Sequence, residues 1–229
     1  MNLNEICDLN YDVSCDMFYV NHKGKRLYYP ASKSIENIYI GYRFGLMEQD
    51  PSSPHCYLSK NFQPKEGDVV IDAGVAEGNF SIEIVDKVSK LYLVESDPIW
   101  IPALKKTFEP YGDRVVIIEK YLGSVDDEEH ITIDTIVGEQ QVHFIKMDVE
   151  GAEIDSLNGA HNTLENSQDL KLAICAYHKK GDESRIKEIF GNYGIEASTT
   201  DGYMFYKDDM DSLIDGELRR GIVRGIKNK

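Results

Sequence analysis

Short runs of β-branched and aliphatic residues recur from Asp68 onward at intervals of about 22 to 28 residues, and the stretches between them follow helical periodicity. The runs are Val69-Val70-Ile71, Leu91-Tyr92-Leu93-Val94, Val115-Val116-Ile117-Ile118, Val142 to Met147 and Leu172 to Ala176. Between the first two, Phe80, Ile84, Val85 and Val88 share one helical face, and after the fourth, Ile154, Leu157 and Leu164 do the same. This alternation predicts successive βα units, and so an α/β fold with a mainly parallel sheet covered by helices. A further helix is predicted over Glu183 to Tyr193. The pattern then changes. Ile195 to Thr199 and Tyr203 to Tyr206 flank Asp201-Gly202, a pair suited to the positive φ angles of a tight turn, so the sheet is expected to end in an antiparallel hairpin.

Residues 1–66 lack this rhythm. Met17 to Val20 and Arg26 to Tyr29 predict a hairpin around Asn21 to Gly24, and Ser34 to Leu46 predicts a helix, together forming an N-terminal cap or lid on the α/β domain at 67–207. The cap holds Tyr11, Tyr19, Tyr28, Tyr29, Tyr39, Tyr42 and Tyr57. Such rings either stack on sugar faces or pair across strands. Residues 208–229 form a tail in which Arg219, Arg220, Arg224, Lys227 and Lys229 read as a solvated helix end.

A chain of 229 residues suits one α/β domain with appendages. No apolar run approaches the ~18 residues that a membrane span needs, and the first residues lack the basic-then-apolar pattern of a secretory signal. A cytoplasmic location is therefore expected. Cys7, Cys15, Cys56 and Cys175 show no metal-finger spacing and read as packing thiols. A formal charge of −15 weighs against nucleic acid as partner. The oligomeric state stays open, a homo-oligomer included.

The candidate chemistry begins at Asp72-Ala73-Gly74-Val75-Ala76-Glu77-Gly78-Asn79, where a strand ends in an acid and two glycines follow four apart. Ligands of open α/β sheets bind at that carboxyl edge, and glycines let backbone approach them. A dinucleotide fingerprint needs G-x-G-x-x-G, so that pyrophosphate can sit on the helix N-terminus. Here the spacing is G-x-x-x-G, and Asp72 would repel phosphate. It suits instead a sulfonium cofactor whose amino-acid tail carries an ammonium. Glu95, at the next strand's end, is placed to accept both hydroxyls of a ribose. Ser96 beside it and Tyr121, after the third strand, would border the same ligand.

Phe144-Ile145-Lys146-Met147-Asp148-Val149-Glu150-Gly151-Ala152-Glu153 closely resembles the hallmark of the FkbM-type methyltransferases. Gly67 to Gly74, Ile133-Asp134-Thr135-Ile136, Leu157-Asn158-Gly159-Ala160 and Tyr177-His178 add to the resemblance, which covers roughly 68–206. It implies a Rossmann-like class I fold and S-adenosylmethionine as cofactor. It further implies methyl transfer to a hydroxyl of a sugar, nucleotide-linked sugar or glycan precursor, a small-molecule or saccharide acceptor. On that reading Asp72, Gly74, Glu77, Gly78, Asn79, Glu95, Ser96, Tyr121 and Asp148 would hold the cofactor. Asp148, Glu150, His178 and His55 are the candidates to orient or deprotonate the acceptor. The segment Gln49 to His55 resembles one that precedes the domain in a subgroup associated with surface polysaccharides. No spacing motif demands a metal, although Asp148, Glu150 and His178 are of ligand type. Glu153 reads as a structural residue of the first helical turn. The alternatives are transfer to an amine, a nicotinamide-dependent oxidoreductase, and a noncatalytic binding module.

Overall fold

The computed structural model describes residues 7–205 and 216–228. The N-terminal segment forms an antiparallel sheet of β1 (Leu9–Asp12), β2 (Met17–His22) and β3 (Lys25–Tyr28), followed by α1 (Ile35–Glu48). Ser34 caps α1 by accepting the Asn37 N–H. The main unit then runs β4 (Val69–Ala73), α2 (Asn79–Ile84), β5 (Lys90–Val94), α3 (Ile101–Phe108), β6 (Val115–Ile118), β7 (Tyr121–Leu122) and β8 (His130–Ile131). It continues with α4 (Ile133–Val137), β9 (Phe144–Met147), α5 (Glu153–Asn158), α6 (His161–Asn166), β10 (Leu170–Cys175), α7 (Asp182–Asn192), β11 (Glu196–Thr199) and β12 (Ile222–Lys227).

Seven strands make the central sheet in the order β11-β12-β10-β9-β4-β5-β6. The pairs β10–β9, β9–β4, β4–β5 and β5–β6 are parallel, and β12 is antiparallel to both its neighbours. The chain steps from β4 outward to β6, then returns to the other side of β4 with β9. The carboxyl ends of β4 and β9 therefore flank a topological switch point, the place where open α/β sheets bind ligands. All five residues of β4 and all four of β9 are buried, as central strands of a parallel sheet covered on both faces should be, the charged Asp72 and Lys146 included.

The predicted hairpin at Asp201-Gly202 does not form the last strand pair. Tyr203 and Phe205 are exposed, Met204 makes a single bridge with Arg219, and Tyr206 lies outside the described residues. β11 pairs instead with β12, which comes from the segment read as a solvated tail. The physical reason is burial. Ile222 and Val223 are fully buried, and Gly225 lies so close under α7 that a Cβ there would meet Phe190 at 2.5 Å and Ile195 at 2.9 Å. The tail's cations serve carbonyls rather than solvent: Arg219 donates to Tyr177 O and His178 O, Arg224 to Cys56 O, and Lys227 to Leu164 O and Glu165 O. Gly225→Val is expected to lower stability by about 1–3 kcal/mol, as overpacking does. Urea denaturation measures it, and an unchanged midpoint would contradict the close packing.

The cap is not a hinged flap. Val20, Leu27, Tyr29 and Ile38 are buried in one cluster with Phe80, Leu104 and Phe108 of the main unit. Each such side chain contributes about 1.5–3 kcal/mol by burial. His22 Nε2 meets Glu83 Oε1 at 2.7 Å, and the Tyr28 N–H donates to Thr107 Oγ1 at 2.9 Å. Tyr19 and Tyr28 pair across strands, with ring centroids 5.3 Å apart, and Tyr28, Tyr29 and Tyr42 are buried. Among the described residues, no helix is long and apolar enough to cross a membrane.

Candidate active site

The loop after β4 crosses directly over the end of β9. Gly74 has φ +71°, and a Cβ on it would lie 1.6 Å from the Asp148 carbonyl oxygen, so this position admits only glycine. The Gly74 N–H donates to Val94 O at 3.0 Å and the Asp148 N–H to Ala73 O at 2.9 Å, which locks the loop to β5 and β9 to β4. A crevice of about 360 Å³ opens here, lined by Gly74, Glu95, Ser96, Trp100, Tyr121 and Asp148 among others. A smaller pocket of about 90 Å³, walled by Glu48, His55, Tyr57, Glu77 and Asn79, shares Gly74, Ala76 and Asp148 with it.

Glu95 stands at the carboxyl end of β5, where its two oxygens accept the Ala76 N–H at 2.9 Å and the Asp97 N–H at 2.8 Å. Each oxygen keeps a lone pair for a ligand hydroxyl. The crevice carries Glu95, Asp97, Asp148 and Glu150 against Lys120, a balance that favours a cationic ligand over a phosphorylated one. Gly78 is the left-handed N-cap of α2, and a Cβ there would meet Leu104 and Phe108 at 3.2 Å. It packs under α3 and lines neither cavity, so it serves the turn rather than a ligand. Asp72 is likewise displaced from its expected role. It is fully buried, accepts from Ser81 Oγ at 2.6 Å, and pairs with Lys146 Nζ at 3.0 Å, so its charge is neutralised beneath the loop instead of facing an ammonium.

Asp148 is the focus of the site. Its carboxylate accepts the Tyr57 hydroxyl at 2.7 Å and the Tyr177 hydroxyl at 3.3 Å, with His55 Nε2 at 3.5 Å and His178 Nε2 at 3.4 Å. Burial alone would raise its carboxyl, but the His55 hydrogen bond and the charges of Lys146, His55 and His178 outweigh that and hold it well below the usual carboxylate range. Lys146 is buried too. Burial pulls its ammonium down, yet Asp72 and Asp148 more than offset this and keep it charged. It also donates to the Gly74 carbonyl, tying β9 to the cofactor loop.

Glu150 and Gly151 both adopt positive φ, 52° and 94°, in a turn that precedes α5. The expected first-turn placement holds for Glu153, whereas Glu150 precedes the helix and its side chain is largely exposed. Glu153 is fully buried, accepts the Val149 N–H at 3.1 Å, and meets His178 Nδ1 at 2.8 Å. Burial lowers the His178 imidazole, but Glu153, Asp148 and Glu150 outweigh it and raise the pKa. Donor atoms of Asp148, Glu153 and His178 lie within 4.8 Å of one another, but the His178–Glu153 separation is that of a direct hydrogen bond.

Residues 62–205 match the methyltransferase FkbM domain, more than half of the chain. The chain belongs to the FkbM methyltransferase family. A solved FkbM methyltransferase from Methylobacillus flagellatus KT superimposes with a TM-score of 0.58 at 20% identity, covering 84% of this chain and 54% of that one. The chain thus spans about half the length of that protein. Magnesium protoporphyrin IX methyltransferase from Synechocystis PCC 6803, solved with bound SAM, gives a TM-score of 0.52 at 16% identity over 86% of each chain. At these identities the likeness is one of fold. No curated protein matched the chain.

The FkbM hallmark thus occupies β9 and the turn after it. The structure brings Asp148, His55, His178 and Glu150 together and sets Glu95, Ser96 and Tyr121 on one crevice wall. Glu77 and Asn79 line the small pocket, where burial raises the Glu77 carboxyl. Sequence reasoning gave no role to Trp100, Tyr177 or Lys146, and weighed Tyr57 only as one of the cap's rings. Trp100 is the single tryptophan of the chain and lines the crevice, with Lys33 of the cap 5.0 Å above its ring. Of the seven cap tyrosines only Tyr57 lines either cavity, while Tyr28, Tyr29 and Tyr42 are buried in packing and Tyr11 is exposed.

Proposed function

We propose that this FkbM-family protein uses S-adenosylmethionine to methylate a hydroxyl on a sugar, nucleotide-linked sugar or glycan precursor. The observation that carries the reading is the Asp148 carboxylate, held ionised between two tyrosines and two histidines where the crevice meets the small pocket. The residues present fit the cofactor: Glu95 would hold the ribose hydroxyls, Trp100 and Tyr121 would flank the adenine, and Gly74 and Ala76 would lie along the methionine part. When bound, the sulfonium supplies an activated methyl with a neutral sulfide as leaving group. The protein's part is to place the acceptor oxygen against that methyl and remove its proton, and positioning alone can supply much of the rate.

A polyhydroxyl acceptor is supported by the hydrogen-bonding character of the small pocket, where Glu48, Gln49, Tyr57 and Asn79 converge. A nicotinamide enzyme is disfavoured by the acidic crevice and by Gly78 facing α3. Calorimetry with S-adenosylmethionine and with NAD tests the class, and a panel of methyl glycosides and nucleotide sugars, scored for methyl transfer, tests the acceptor. Tight NAD binding without sulfonium binding would sink the proposal. Glu95→Ala is expected to weaken S-adenosylmethionine binding by about 10- to 100-fold, the loss of charge-assisted hydrogen bonds worth ~1.5–3 kcal/mol. Unchanged affinity would remove Glu95 from the site.

A further inference from the structure

His55 and Tyr57 precede the region matched to the family, yet both reach its centre. The loop that carries them is fastened at several points. Thr200 Oγ1 donates to Pro54 O at 2.6 Å, Arg224 Nη2 donates to Cys56 O at 2.7 Å, and Gln49 Oε1 accepts the Tyr57 N–H at 3.1 Å. The His55 ring is therefore held in place although it lies on a loop.

The two ring nitrogens have opposite surroundings. Nε2 faces three oxygen atoms, Tyr177 Oη at 3.2 Å, Tyr57 Oη at 3.4 Å and Asp148 Oδ2 at 3.5 Å, with the weaker Cys175 Sγ farther off at 3.6 Å. Both phenols spend their own hydrogens on Asp148, so their oxygens are left to accept, and the proton of a neutral ring belongs on Nε2. Nδ1 is buried, has no hydrogen-bond partner, and belongs to a side chain that lines the small pocket. Its nearest acid, Glu48 Oε2, stands 3.8 Å away, too far for a hydrogen bond.

We propose that His55, a residue of the small pocket whose Nδ1 has no hydrogen-bond partner, is the general base for the acceptor hydroxyl, with Asp148 and the two tyrosyl oxygens holding its Nε2–H. The assignment rests on the methyl-transfer reading above. The other candidates fit worse. Asp148 is held too acidic to take a proton from an alcohol, and serves as the carboxylate that orients the ring, the logic of a base and its orienter. His178 lines neither cavity and is engaged on both sides by Glu153, Asp148 and Glu150, which favour its charged form. Glu153 and His178 act as positioning residues for Asp148.

The step balances as one displacement. A lone pair of the acceptor oxygen forms the O–C bond while the S–C bond breaks and its electron pair stays on sulfur. The hydroxyl proton passes to His55 Nδ1 and leaves for solvent after transfer. One proton is released per methyl transferred.

Histidine-15N spectra of the full chain with S-adenosylmethionine bound, at pH 8, read the tautomer directly. The expected result is a neutral His55 with hydrogen on Nε2. A hydrogen on Nδ1, or a persistent imidazolium, overturns the assignment. On the glycoside panel, His55→Gln is expected to lose about 100- to 10,000-fold in kcat and the acidic limb of the pH profile, with cofactor affinity unchanged. A variant within threefold of wild type overturns it as well. Failure of the wild-type chain to bind S-adenosylmethionine is a different outcome, and sinks the methyltransferase reading instead.

Discussion

Gly74→Ala is expected to abolish measurable S-adenosylmethionine binding and to destabilise the fold by about 3–5 kcal/mol, at the top of the range for single substitutions. Two costs add. An alanine at φ +71° sits in the left-handed region, at about 1–2 kcal/mol. Its Cβ would also fall 1.6 Å from the Asp148 carbonyl, so the loop or the end of β9 must move. Either shift displaces Asp148 and the Gly74–Val94 hydrogen bond together. Urea denaturation and calorimetry measure the two effects. A variant with near-native stability and affinity would show that the loop does not cross β9 as described.

Lys146→Met is expected to cost about 3–5 kcal/mol, because removing one partner of a buried ion pair leaves the other charge uncompensated. Asp72 is fully buried and Asp148 half-buried, and Lys146 is the cation ion-paired with Asp72. The deficit should depend on pH with a definite sign. Burial pushes the Asp72 carboxyl above its unfolded value, and without Lys146 that rise is larger. A group with a raised folded pKa contributes fully below its unfolded pKa and loses that contribution as pH rises through the folded one. The variant should therefore approach wild-type stability near pH 4 and fall behind it toward pH 7. Adding Asp72→Asn should recover part of the loss. A deficit independent of pH would mean that packing of the lysine stem, rather than charge, is at stake.

The parallel core was legible because its signal is local. The runs beginning at Val69, Leu91, Val115, Val142 and Leu172 each became a central strand within a few residues. Glu95 was legible for a similar reason, since it directly follows the last residue of β5 and lines the crevice there. The end of the chain was misread because its signal is not local. Ile222-Val223-Arg224-Gly225-Ile226 does carry β-branched residues, but five nearby cations suggested solvent, and only the fold supplies the carbonyls that bind them. Asp72 was misassigned because the sequence cannot show that Lys146, 74 residues later, lies beside it on the neighbouring strand. The tyrosines around Asp148 were hidden likewise: Tyr57 and Tyr177 are 120 positions apart and meet only across the completed sheet.

That sheet is completed late. β12 inserts between β10 and β11, both made before it, so in a nascent chain that has emerged only as far as β11 one edge of β10 is unpaired and β11 has no strand neighbour. Such edges invite pairing with other chains. The loop bearing His55 is fastened by Arg224 from the same late strand, so the proposed proton acceptor is tied down only once that strand is made, whereas the crevice beside β4, β5 and β9 is built from earlier segments. On the proposed mechanism, the base would be the last part of the site to be secured.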